Sequence, residues 1–186
     1  MEVTTIGLDL AKNVFQAHGA DASGATTFRK QLRRKNVLEF FGKQPICMVA
    51  MEACAGAHYW AQEIGKLEHT VKLIPPACVK PFVKRQKGDM ADAEAICEAS
   101  QRPTMRFVAV KSEDAQASGV VFRARDLLVR QKTQVINALR GQLAEYGFVI
   151  AQGPAHVAGL IEYVADDKNT LPEAARSALV MMVETL

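Results

Sequence analysis

The sequence lacks the features that mark membrane, secreted and zinc-binding proteins. No apolar run approaches the roughly 18 residues that a membrane-spanning helix needs, and the first residues show no basic-then-apolar signal pattern. The four cysteines form no CxxC pair and no paired histidines lie beside them, which disfavours a zinc site. We therefore expect a cytoplasmic protein with no membrane partner, whose cysteines are reduced and buried.

The sequence also has no internal repeat and no low-complexity tract. Hydrophobic residues make up 49% and charged residues 23% of the chain, which are the proportions of a soluble globular protein. The charge is uneven, because residues 1–146 contain 21 Lys and Arg against 15 Asp and Glu, whereas residues 147–186 contain 2 against 5. The basic excess in the first part favours a polyanionic partner.

Residues 1–111 predict an α/β domain. Short strands over 3–10, 14–18 and 26–31 are joined by tight turns, which indicates an antiparallel meander. The run 46–52 is apolar without alternation, so it predicts a strand covered on both faces, as in the parallel part of an α/β sheet. The other predicted elements are a helix over 37–43, a helix ending near 67, a strand over 69–74, a helix over 89–100 and an extended segment over 106–110.

Residues 112–147 predict one long amphipathic helix, and residues 148–186 a helical tail. The apolar stripe of the long helix follows three-, four- and seven-residue steps. Its members are Leu128, Val135, Leu139, Leu143 and Tyr146. The stripe exceeds what one domain covers, which predicts a homo-oligomer. Because the chain stops within apolar sequence, we expect a C-terminal domain to be missing, and the piece alone to bind nucleic acid without completing recombination.

Four carboxylates occupy positions where α/β proteins build their sites. Asp9 lies in an apolar strand, and Glu52 ends the later apolar run, at the carboxyl end of a predicted parallel strand. Asp89 and Asp92 open a helix at i and i+3, which places them about 5–6 Å apart on one face. Together these acids would repel each other unless divalent cations lay between them. Two such cations would activate a nucleophile and stabilise the leaving oxygen of a phosphodiester, and oxygen ligands suit Mg²⁺ or Mn²⁺.

Each acid also has an ordinary explanation. Asp89 has a sufficient role as a helix N-cap, and Asp92 as an acid in a first helical turn. Glu52 alone is also typical of a solvated strand end. Their combination favours a shared site over three unrelated roles.

Basic residues flank these acids in the sequence. Four of them directly precede the Asp89 and Asp92 pair, where they would line a groove for a phosphate backbone. Long helices also carry solvated Arg and Lys, which is the alternative for the later members of the set. The candidate nucleic-acid-binding residues are Lys12, Lys80, Lys84, Arg85, Lys87, Arg123, Arg125 and Arg130.

The order of these motifs resembles the DEDD-type transposases of bacterial insertion sequences, the group that includes the Piv DNA invertases. The resemblance covers about residues 1–147 and continues into the long helix. It is carried by Ile6-Gly7-Leu8-Asp9-Leu10-Ala11-Lys12, by Met51-Glu52-Ala53-Cys54-Ala55-Gly56, by Lys87-Gly88-Asp89-Met90-Ala91-Asp92-Ala93 and by Arg123-Ala124-Arg125-Asp126-Leu127-Leu128. The usual Lys-Thr-Asp of the family is here Lys87-Gly88-Asp89, which keeps both acids.

The resemblance implies a RuvC-like, ribonuclease H-like α/β fold: a mixed sheet flanked by helices, followed by a long helix and a helical tail. It implies that Asp9, Glu52, Asp89 and Asp92 are metal ligands and catalytic residues. It further implies cleavage and transfer of DNA strands during transposition, with DNA as a partner. Some members of the family are guided by a structured RNA, and the family carries a C-terminal domain with a catalytic serine.

Three other functions fit part of the sequence. A junction-resolving nuclease of the same fold would cut DNA without strand transfer. An actin-like ATPase or sugar kinase also begins with Gly-x-Asp before a hairpin, but it needs a second glycine-rich phosphate motif and a much longer chain. A non-catalytic nucleic-acid-binding module would use the basic residues alone.

Overall fold

The computed structural model describes residues 2–83 and 89–186, with only the backbone of Asp89. The chain clusters into two compact units, Met1–Ser112 and Glu113–Leu186. None of the helices in the described part of the chain is long and apolar enough to cross a membrane.

The first unit is built on one five-stranded mixed sheet. Its strands are β1 (Thr5–Asp9), β2 (Val14–Ala20), β3 (Thr26–Arg33), β4 (Met48–Glu52) and β5 (Thr70–Ile74). They lie in the order β3-β2-β1-β4-β5, with β3, β2 and β1 antiparallel and with β4 parallel to both β1 and β5. The predicted meander and the predicted parallel apolar strand are confirmed, and this strand order is that of a ribonuclease H-like sheet.

Helices cover both faces of the sheet. They are α1 (Val37–Phe41), α2 (Ala57–Gly65), α3 (Pro76–Val79) and α4 (Asp89–Ser100). On one face, Ile6 and Leu8 of β1 pack in a core with Phe41 of α1 and Ile64 of α2. On the other face, α4 packs against β1, β4 and β5. Two covered faces explain why β1 and β4 are apolar without the alternation of a half-exposed strand.

Glycine in the middle of β1 allows α4 to approach the sheet closely. A Cβ atom on Gly7 would lie 2.2 Å from the carbonyl oxygen of Ala93 and 2.6 Å from the backbone nitrogen of Cys97. Real Cβ atoms do not come so close to backbone atoms. The helix that carries Asp92 therefore depends on the missing side chain of Gly7 for its position.

The predicted extended segment over 106–110 joins the sheet through a bridge from Val108 to Leu73. One detail of the first unit differs from the sequence-based expectation. The expectation that all cysteines are buried is wrong for Cys54, which is exposed, although Cys47 and Cys97 are buried. Cys54 follows the end of β4, where the chain leaves the covered part of the sheet.

The second unit is helical. It consists of α5 (Glu113–Ala144), α6 (Val157–Ala165) and α7 (Glu173–Val183). Only the last third of α5 is packed, since Leu139 and Leu143 are fully buried while Leu128 is 64% exposed. The core also contains Leu160, Val164, Leu171 and Leu179. The predicted apolar stripe of the long helix is thus buried at one end and open at the other.

Candidate active site

Three of the four predicted acids line one cleft in the first unit. Asp9, Glu52 and Asp92 face a space of about 590 Å³. The other lining residues are Pro76, Ala77, Val79, Lys80, Val83 and Ile96. Among the residues that the structure describes, the cleft therefore has an acidic side, an apolar wall and one lysine.

The sheet brings the first two acids together. Strands β1 and β4 are parallel with Leu8 opposite Met51, so the next residue of each strand, Asp9 and Glu52, comes at the same level. Neighbouring strands lie about 4.8 Å apart, and residues at the same level of parallel strands point to the same face. Both acids are half-buried at the carboxyl ends of their strands. This is the end at which open α/β sheets bind ligands.

Helix α4 supplies the other acids from above the sheet. Asp92 lies in its first turn and is half-buried, held over β1 by the close contact at Gly7. Asp89 is the first residue of the same helix, one turn before Asp92. Its side chain lies outside the described part of the structure. Glu94 points elsewhere, because its carboxylate forms a 3.0 Å ion pair with Arg29 on β3.

The electrostatics of the cleft are visible at a neighbouring thiol. Partial burial raises the pKa of Cys54, and the negative charges of Glu52 and Asp9 raise it further. The two carboxylates therefore lie within electrostatic range of the same sulfur atom. A cation that entered the cleft would be attracted by both of them.

The donor set of the cleft fits a hard divalent cation. Carboxylate oxygens are the preferred ligands of Mg²⁺ and Mn²⁺, and no soft ligand is among the lining residues. Among the residues that the structure describes, no three acidic, histidine or cysteine side chains are grouped tightly enough to hold a metal ion. Three carboxylates that face one space repel each other, which is a reason for the separation of these side chains.

The structure places some of the predicted basic residues at the cleft and leaves others apart. Lys80 lines the cleft, and Lys12 is exposed in the turn that follows β1. Lys84, Arg85 and Lys87 lie outside the described residues. The three predicted arginines of α5 are exposed in the second unit: Arg123, Arg125 and Arg130.

Sequence reasoning missed two residues beside the site. The motif that contains Gly7 assigns it no role, although a glycine inside an apolar strand is itself a signal of close backbone approach. Cys54 was assigned to the buried thiols, and its position two residues after Glu52 is the signal that it lies at the mouth of the strand. The exposure of Cys54 follows from where β4 ends, and the role of Gly7 from the packing of α4 on β1, neither of which the sequence alone defines closely.

Comparison with known protein families identifies the family to which the chain belongs. A family model described as a transposase, of the DEDD type named after IS110, matches residues 6–148. This range includes all four predicted acids. It ends shortly after α5.

Curated relatives agree with this family. A Pseudomonas aeruginosa protein named "probable family 20 transposase" is 51% identical over 174 residues, which are 92% of this chain and 52% of the relative. A transposase for insertion sequence element IS1328 of Yersinia enterocolitica is 47% identical over 153 residues, which are 82% of this chain and 46% of the relative. The chain thus spans about half the length of the curated relatives it matches.

Among solved structures, Thermus thermophilus RuvC is similar at 12% identity. It matches 56% of this chain and 99% of its own, with a TM-score of 0.42. The same protein in complex with a Holliday junction substrate matches 58% of this chain and 100% of its own, with a TM-score of 0.39.

Proposed function

Because this chain belongs to the DEDD transposase family of the IS110 type, we propose that the protein is a DNA transposase that cleaves and transfers DNA strands in the cleft of the first unit. The observation that carries the proposal is the convergence of Asp9, Glu52 and Asp92 on one cleft from two strand ends and a helix. Isolated strand-end or first-turn acids would not share a space. Asp89 joins them by its position one helical turn before Asp92.

In this proposal the four carboxylates hold Mg²⁺ or Mn²⁺. Such ions activate an attacking water or hydroxyl and stabilise the leaving oxygen of a phosphodiester. Asp9 and Glu52 sit on the adjacent inner strands β1 and β4, which are covered on both faces, and this fixes their backbone positions. Asp92 closes the site from α4. The carboxylates thereby set where the scissile phosphate binds.

The remaining lining residues would complete the site. Lys80 provides a positive charge that attracts the phosphate backbone into an otherwise acidic cleft. Val79, Val83 and Ile96 form an apolar wall that limits water beside the reacting group. Low water content strengthens the electrostatic interactions within a site.

Contacts outside the cleft are part of the same proposal. Lys12 would bind DNA close to the site, and Lys84, Arg85 and Lys87 would do so from the segment before α4. The exposed arginines of α5 would bind DNA from the second unit. The partly exposed stripe of the same helix supports a homo-oligomer, since Leu128 needs a cover that α6 and α7 do not give. A cytoplasmic location and a guiding RNA remain proposals from the sequence.

The test compares acids inside and outside the cleft. We expect Asp9→Asn, Glu52→Gln and Asp92→Asn each to lower Mg²⁺-dependent cleavage of end-labelled insertion-sequence DNA by about 10³-fold, or about 4 kcal/mol of transition-state stabilisation. Glu94→Gln, on the same helix but paired to Arg29, is the matched control and should retain cleavage within about threefold.

Metal binding gives a second readout that does not depend on cleavage. Titration of Mn²⁺ followed by electron paramagnetic resonance should show tight sites in the parent chain and in Glu94→Gln, and their loss in Asp9→Asn. Equal Mn²⁺ binding by Asp9→Asn and the parent would show that the cleft is not the metal site. Cleavage that stops at cut products, with no joined strands from the complete protein, would favour the junction-resolving nuclease.

A further inference from the structure

The outer edge of the sheet carries a second concentration of positive charge. Five of the seven residues over 29–35 are basic. They run along the end of edge strand β3 and the short turn Arg34–Asn36 that follows it. All five are exposed: Arg29, Lys30, Arg33, Arg34 and Lys35, together called the basic edge below.

The strand register connects this surface to the cleft. Asp9 pairs with Gln16 of β2, and Gln16 pairs with Gln31 of β3. Residues directly opposite each other in antiparallel strands share a face, so Gln31 is on the face of Asp9. Arg33 follows two residues later on the same face, opposite Val14 at the end of the sheet where β1 ends.

The distance between the two positions is short on the scale of DNA. Two strand spacings and a two-residue offset place the Cα atoms of Arg33 and Asp9 about 12 Å apart. Phosphates of one strand of duplex DNA follow each other at about 3.4 Å along the axis. A backbone that leaves the cleft toward β3 would therefore reach Arg33 after about three or four nucleotides.

The charges of the basic edge are only partly used within the protein. Arg29 is paired to Glu94 at 3.0 Å. Arg34 stacks over Trp60 with its guanidinium 5.2 Å from the ring centroid, and Lys30 lies 5.1 Å from the centre of Phe40. These contacts hold the side chains in place without neutralising Lys30 or Arg34.

Arg33 and Lys35 carry the free charge. In the described part of the chain, no ion pair joins either of them to a carboxylate. The sequence contains no acidic residue over 22–38, so the charge of this segment is not balanced locally. Charged residues on an edge strand also prevent pairing with other sheets. That role needs single charges facing the edge, whereas Arg33 lies on the face of Asp9, and Arg34 and Lys35 extend the basic edge past the end of the strand.

We propose that the basic edge binds the phosphate backbone of duplex DNA about three or four nucleotides from the bond at the cleft. The proposal rests on the proposed function for the location of the cleaved bond. The binding itself needs neither metal nor cleavage. The basic edge would position DNA by charge, with no role in reading its sequence.

The test measures the salt dependence of DNA binding in EDTA. The logarithm of the binding constant of this chain for a fluorescein-labelled 30-base-pair duplex is plotted against the logarithm of the salt concentration. The binding constant falls as the salt concentration rises, and each lost phosphate contact makes this negative slope shallower by about 0.9. We expect Arg33→Gln combined with Lys35→Gln to make the slope shallower by about 1.8. Arg33→Lys keeps the charge and should leave the slope unchanged.

The control removes the same charge from elsewhere on the first unit. Lys43→Gln combined with Lys66→Gln also removes two exposed lysines, which are paired to Glu39 and Glu63 at 2.6 Å. This control should keep the parent slope. The proposal would be overturned if the variant at Arg33 and Lys35 had the same salt slope as the parent. It would also be overturned if the slope of the control variant became shallower by the same amount. A third contrary result would be that the substitutions at Arg33 and Lys35 weaken binding of an RNA hairpin more than binding of duplex DNA.

Lysine footprinting tests the same proposal on the parent chain, so its result does not depend on whether a variant folds. We expect duplex DNA to protect Lys35 from acetylation and to leave Lys66 accessible, as read by mass spectrometry. No protection of Lys35 would overturn the proposal. Loss of cleavage in Asp9→Asn with an unchanged salt slope separates the two sites, because the cleft and the basic edge then fail independently.

Discussion

The two units differ in how far their apolar side chains are buried. In the first unit, strand residues such as Ile6, Leu8 and Val49 are fully buried, because helices cover both faces of the sheet. In the second unit, a group of large apolar residues of α5 is between 49% and 68% exposed. They are Val120, Val121, Phe122, Leu127, Leu128 and Val129.

The difference shows what an apolar pattern does and does not specify. A strand inside a covered sheet has no side that can remain open, so its apolar residues are buried wherever they fall. A helix buries its stripe only where another element packs on it, as α6 and α7 do near Leu139 and Leu143. The first unit can therefore hold the acids of its cleft in fixed positions, while the second leaves apolar side chains exposed.

The largest effect should come from truncating the packed end of the long helix. Leu139→Ala removes a fully buried side chain and should destabilise the second unit by about 2–5 kcal/mol. Leu128→Ala, in the same helix but exposed, should change stability by less than about 0.5 kcal/mol. Amide hydrogen exchange in α6 and α7 measures both. Similar losses of protection in the two variants would mean that the stripe is covered throughout.

A smaller effect is expected at the close contact in the first unit. Gly7→Ala places a methyl group against the backbone of α4 and should destabilise the first unit by about 1–3 kcal/mol. Mn²⁺ binding should weaken as well, because Asp92 moves with the helix. Urea denaturation and Mn²⁺ titration give the two readouts.

Gly141→Ala is the matched control for Gly7→Ala in the second unit. Gly141 lies within α5, and a Cβ atom there meets nothing within 4 Å. The substitution should stabilise the helix by about 0.5–1 kcal/mol, since alanine restricts the unfolded chain and favours the helix. A destabilisation equal to that of Gly7→Ala would show that close packing is not what distinguishes the two glycines.

The smallest effect concerns the thiol beside the acids. The pKa of Cys54 is raised by partial burial and by the charges of Glu52 and Asp9, so the thiol stays protonated at neutral pH and reacts slowly. Asp9→Asn removes one of these charges and lowers the pKa toward its ordinary value. Alkylation of Cys54 by iodoacetamide at pH 8 should then be about threefold faster. The rate is followed by mass spectrometry of the peptide that contains Cys54.

Buried Cys97 is the internal reference for this rate. Burial is the main reason for its raised pKa, and Asp9 is not among the charges that act on it. Its alkylation should stay slow in both proteins. An unchanged rate at Cys54 would mean that the carboxylates of the cleft carry less negative charge than the geometry implies.

Much of the fold and of the site could be predicted from the sequence. Unbroken apolarity over 46–52 predicted a covered parallel strand, and the observed strand Met48–Glu52 pairs in parallel on both sides. The acids at Asp9 and Glu52 were recognised because they end apolar strands. Arg33 was not recognised, because its relation to Asp9 depends on the pairing of three strands, and periodicity in one strand carries no information on its partners.

The amino-acid sequence was enough to predict the strands and helices, to single out the acids as candidate metal ligands, and to identify the family that the motifs resemble. These depend on local propensity and on residue types at fixed spacing. Three features became known from the folded structure: the acids that line one cleft, the close contact of α4 with β1 at Gly7, and the exposure of Leu128 in the apolar stripe of α5. The physical reason is that burial and proximity are properties of pairs of elements, and the chain specifies them only when it is folded.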